Sequence, residues 1–108
     1  MFKIIVKEGV VFKQFNSQFM DFVRILNEVS EKMGFVATIT SAAEGEHTLN
    51  SYHSLDCAWD VRTRGLKLPQ TTADTLRIAL TEIDKRWEVI YGDAKHLDHI
   101  HIEFNLRK

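Results

Sequence analysis

Apolar positions in this chain follow two rhythms, one helical and one alternating. From Ser17 onward, Phe19, Phe22, Val23, Leu26, Val29 and Met33 recur at spacings of three and four, one face of an amphipathic helix. Asn16 or Ser17 is placed to cap its first turn, and Gly34 to end it in a left-handed conformation. A second helical face carries Ala73, Leu76, Ala79, Leu80 and Ile83, with Thr71 or Thr72 as its cap and Leu66 to Gln70 as the turn before it. Between and around these helices the pattern is that of strands. Ile4 to Val6 and Val10 to Phe12 predict two short strands about a Glu8-Gly9 turn. Phe35 to Ile39 predicts a buried strand, followed by a polar loop from Ser41 to Asn50. Cys57 to Val61, Trp87 to Tyr91 and His99 to Phe104 complete the set. The turns near the end are too short for a parallel crossover, which needs about a dozen residues. The expected fold is therefore α+β, a small antiparallel sheet with helices packed against it.

Length and composition keep this to one domain. The chain has 108 residues, 44% of them hydrophobic and 27% charged, enough for a modest core. Its only proline is Pro69 and its five glycines are scattered, so no linker, repeat or low-complexity break divides residues 1–108. With 14 basic and 15 acidic side chains the net charge is −1, which offers no electrostatic reason to bind nucleic acid or an anionic membrane. No apolar run approaches the roughly 18 residues of a membrane span, and the N-terminus lacks a signal-peptide pattern. The expectation is a protein made in the cytoplasm. One cysteine, Cys57, excludes an intrachain disulfide and a thiolate-rich zinc site.

The candidate chemistry lies in two places, Ser51 to Asp60 and Asp98 to His101. Side chains alternate faces along a strand, so Ile100, Ile102 and Phe104 share a core face while His99, His101 and Glu103 share the other. Those histidines form either a site or a solvated polar face. Asp60 sits among Cys57, Ala58, Trp59 and Val61, where a carboxylate is costly unless it meets a cation or donors. The cation is a metal, or else Arg62 or Arg64. Taken together, His53, Asp60 and His101 offer three ligands for one divalent ion, leaving a fourth tetrahedral position for water as in catalytic zinc sites. Two imidazoles and a carboxylate also suit iron(II). Zinc so held would bring the pKa of its water to about 7. Hydrolysis further needs a base, and Asp98, three residues before His101, is the candidate; its alternative role is to close the Lys95-His96-Leu97 turn. His99 either donates to a developing oxyanion or serves as a supporting or surface histidine. Cys57 shares the parity of Trp59, opposite Asp60, and is expected to be a buried, inert thiol rather than a nucleophile.

These residues resemble the zinc D-Ala-D-Ala carboxypeptidase and L-alanyl-D-glutamate endopeptidase family, which shares a fold with the hedgehog signalling domain. Its pattern is S-x-H-x-x-G-x-A-x-D, followed downstream by E/D-x-x-H, often within D-H-x-H. Ser51, His53, Ala58 and Asp60 match the first part, and Asp98, His99 and His101 the second. The stretches around Gly45-Glu46-His47 and Asp60-Val61-Arg62-Thr63 look most like short phage-encoded members. The resemblance spans roughly Val36 to Phe104. It implies one Zn2+ held by His53, Asp60 and His101, with Asp98 as catalytic base and Ser51 supporting the site. It also implies peptidoglycan stem peptides as substrates. Two positions depart from the pattern. Asp56 replaces the motif glycine, where aspartate tolerates a left-handed backbone and adds a carboxylate near the metal. The segment Thr40 to Gly45 lacks the arginine that grips a substrate carboxylate in many members; Arg62, Arg64 or His47 either takes that task or is a surface or supporting residue.

The leading functional expectation is thus a phage-type zinc peptidase that reaches the wall through a holin, lysis or packaging into a virion. The alternative is a non-catalytic, metal-stabilised peptide-binding module, or a phage morphogenesis protein on the same fold. Oligomeric state has no signature in the sequence.

Overall fold

Asn16 caps the first helix as its position predicts, its Oδ1 accepting from the Phe19 N–H at 2.8 Å. The helix, α1, runs Ser17–Met33 and buries Phe22, Ile25, Leu26 and Val29. Gly34 ends it at φ 76°, ψ 39°, with its N–H donating to the Ser30 carbonyl at 2.8 Å. That conformation costs an L-residue roughly 1–2 kcal/mol. Open space surrounds the position where a Cβ would stand, so Gly34→Ala should cost about that much and no more. A thermal-unfolding comparison checks this, with a fall of several degrees expected.

The structure is a computed structural model that describes residues 4–12, 15–42, 57–93 and 96–106. Besides α1 it contains α2 (Pro69–Ile83) and five strands: β1 (Ile4–Val6), β2 (Ala37–Ser41), β3 (Ala58–Arg62), β4 (Trp87–Ile90) and β5 (His99–Phe104). The strands form one sheet in the order β1-β2-β3-β5-β4. The α+β class holds, but two expectations are corrected.

The sheet is mixed rather than antiparallel. β1 runs parallel to β2, with Ile4 opposite Ala37 and Val6 opposite Ile39. The Glu8-Gly9 turn does form, with Gly9 at φ 92°, yet Val10 to Phe12 do not return as a strand. Val10 and Phe12 instead pack against the core on the way to α1. The connection from β1 through α1 to β2 is long enough for a parallel crossover, unlike the short turns near the end. Second, α2 begins at Pro69 rather than after Thr71 or Thr72. Proline is pre-set for the first helical position, where a missing N–H costs nothing. Thr72 lies inside the first turn, its hydroxyl donating to the Leu68 carbonyl at 2.8 Å.

Both helices cover one face of the sheet. Ile39, Trp59, Val61, Val89, Ile100 and Ile102 point into that layer, where Trp59 stacks on Phe22 with centroids 4.8 Å apart and planes 7° apart. Cys57 is buried in the same cluster, as its parity predicts. At the far side of the sheet, Arg77 of α2 donates from Nη2 to the Val89 carbonyl of β4 at 2.9 Å while holding Asp74 at 2.7 Å. Among the described residues no helix is long and apolar enough to cross a membrane.

Candidate functional site

Because the helices take one face, the alternate residues of β3 and β5 are left on the other. Asp60 stands directly opposite His101, Arg62 opposite His99 and Ala58 opposite Glu103. The register alone brings together residues far apart in the chain. On the other side of β3, the pairing with β2 shifts between Ile39 and Ser41, an irregularity beside Asp60 of the kind that re-aims side chains next to sites.

Contacts follow the register. His101 Nδ1 lies 3.0 Å from Asp60 Oδ1, and its Nε2 lies 2.7 Å from Glu103 Oε1. His99 places Nε2 3.8 Å from Asp60 Oδ2 and Nδ1 2.7 Å from Asp98 Oδ1. Asp60 and His101 side chains are only 14% and 12% exposed, whereas Asp98 is 92% exposed at the mouth of β5. Burial pulls the His101 pKa down, but hydrogen bonds to Asp60 and Glu103 outweigh it and leave the value raised. The hydrogen bond with His99 lowers the Asp98 pKa, so this carboxylate stays ionised through neutral pH. Thr63 tethers the backbone that carries Asp98: its N–H donates to the Asp98 carbonyl and its hydroxyl to the Leu97 carbonyl, both at 3.3 Å.

A cavity of about 370 Å³ opens beside this cluster. Asp60, Asp98 and His99 line it, together with three cationic side chains, Lys7, Arg62 and Arg64. Arg62 and Arg64 are therefore next to the candidate chemistry, where an anionic group of a ligand would find them. The Asp60 carboxylate lies against both His101 and His99.

Two donor atoms held at about 2.0–2.1 Å in a tetrahedral zinc site stand about 3.3 Å apart. Asp60 Oδ1 and His101 Nδ1, 3.0 Å apart, are close to that spacing, and an ion could replace their hydrogen bond with little movement. Among the described residues no group of three or more His, Cys, Asp or Glu side chains is arranged to hold a metal. The third expected ligand, His53, lies outside the described residues, as do His47, Ser51 and Asp56.

Two side chains join the cluster without having been assigned a role from sequence. Glu103 was placed on the correct face by alternation, but its bond to His101 depends on rotamers that spacing does not carry. His96 packs its ring 5.2 Å from His99 and 5.5 Å from His101, centroid to centroid, with Nδ1 hydrogen-bonded to Asp93. Its position three residues before His99, at the end of a loop, gave no signal. No family model, curated protein or solved structure matches this chain.

Proposed function

We propose that the chain is a zinc-dependent peptidase that hydrolyses a peptide bond in a peptidoglycan stem peptide, of the L-alanyl-D-glutamate endopeptidase or D-Ala-D-Ala carboxypeptidase type. The observation that carries this reading is the Asp60–His101 pair, directly opposed in register and nearly buried, with the ionised Asp98 and His99 at its rim. The two-part motif resemblance supplies His53 as third ligand and Ser51 as support. Zinc bound there would polarise the scissile carbonyl and bring the pKa of an attacking water to about 7.

The chain's own residues then have distinct tasks. Asp98, exposed and ionised, takes a proton from water as its oxygen adds to the carbonyl carbon. The same carboxyl gives that proton to the departing nitrogen as the C–N bond breaks. His99 orients Asp98 by donating from Nδ1, and only as the doubly protonated imidazolium could it also donate from Nε2 to the oxygen that gains charge. Arg62 and Arg64 can hold a substrate carboxylate in the adjoining cavity.

Elemental analysis and digestion of purified peptidoglycan, followed by mass spectrometry, test this on one preparation. The expected result is one zinc per chain and a single new amine terminus in the muropeptides. Zinc without cleavage would favour the non-catalytic peptide-binding module. No zinc after reconstitution would overturn the metal reading.

A further inference from the structure

We propose that Glu103 is the outer carboxylate of the metal site, fixing the His101 ring so that Nδ1 faces Asp60 and becomes the metal-binding nitrogen. This rests on the metal reading above and extends it to a residue outside the expected ligand set.

Glu103 follows His101 by two positions on β5 and so shares its face. Across β3 it meets only Ala58, whose small side chain leaves the carboxylate room to turn along its own strand toward His101. Across β4 it meets Glu88, and two like charges directly opposed on one face destabilise a sheet unless each finds a partner. Both do. Asn105 Nδ2 donates to Glu88, and the His101 ring engages Glu103 at 2.7 Å. The imidazole is thereby held at both nitrogens, with a carboxylate at each end.

Only one of those carboxylates stands where the motif expects a ligand. An ion taking the position between Asp60 and His101 would bind Nδ1, leaving Nε2–H to donate to Glu103. Metal-bound histidines almost always donate their second ring nitrogen in this way, which sets the tautomer and makes the ligand more basic. Loss of such an outer partner weakens metal binding by about 10–100-fold.

The test is zinc affinity, read by competition with a chromophoric chelator on wild-type protein, Glu103→Gln and Glu103→Ala. Nitrogen-15 NMR of the His101 ring in the zinc-loaded protein accompanies it. Glu103→Gln keeps the shape and can still accept weakly, so it carries the measurement if the alanine variant fails to fold. The expectation is affinity weakened about tenfold in Glu103→Gln and toward a hundredfold in Glu103→Ala, with Nε2 still protonated in the loaded wild type. Unchanged affinity in the variants, or zinc found on Nε2, overturns this role for Glu103 while the metal reading stands. A wild type that binds no zinc overturns both.

Discussion

His101→Ala should leave a protein that neither retains zinc nor hydrolyses peptidoglycan. His101 is the partner that β5 sets against Asp60, and removing it takes away one of the three proposed ligands and the cross-strand geometry at once. Asp60 and Glu103 would then face one another without the imidazole that now bridges them. Metal analysis after dialysis reads the result, and one equivalent of zinc retained by the variant would sink the ligand set. Stability of the metal-free forms gives an independent check. The raised pKa of His101 means that its protonated form is favoured by folding. That contribution is fully present below the ordinary histidine pKa and disappears as pH rises through the higher folded value. The metal-free variant should therefore be less stable than metal-free wild type in mild acid, and the gap should close in alkali.

Asp98→Ala should do the opposite to the two properties, keeping zinc while lowering turnover by about 10²–10⁴-fold, the usual worth of a positioned base. Asp98 is exposed and makes its contact with His99 rather than with Asp60 or His101, so its removal leaves the buried pair intact. Steady-state kinetics on a defined muropeptide would show the loss mainly in kcat. Turnover equal to wild type would remove Asp98 from the mechanism. The pH profile carries a further sign. Because His99 holds the Asp98 pKa below its ordinary value, the base form is lost only as pH falls through that lowered value. In wild type the acid limb assigned to this group should lie below the usual carboxylate range.

What could be foreseen from the sequence, and what could not, divides along physical lines. The alternation from His99 to Phe104 is strict, and the burial of Ile100, Ile102 and Phe104 follows it residue by residue. Asn16 and Gly34 mark the ends of α1 because both act through their own local geometry. The start of α2 is less legible, since Thr71 and Thr72 offer the usual capping side chains while Pro69 opens the helix with no side-chain cap. The parallel placement of β1 was hidden for another reason: pairing with β2 is decided by the packing of α1, while Glu8-Gly9 carries a genuine local turn signal. In the candidate site, spacing put Asp60 and His101 on plausible faces, but only the register of β3 against β5 makes them neighbours. Glu103 and His96 enter through side-chain packing, which no motif spacing encodes.

One consequence concerns the molecule's neighbours rather than its chemistry. Among the described residues β4 ends the sheet, and an unguarded terminal strand is a template on which another chain can add. The Val89 carbonyl is already taken by Arg77, which brings a guanidinium to that border. A strand arriving there would have to displace a charged donor to gain one hydrogen bond. At the opposite border β1 covers three of the described residues, Ile4–Val6. Addition of another strand at the β4 border is thus disfavoured.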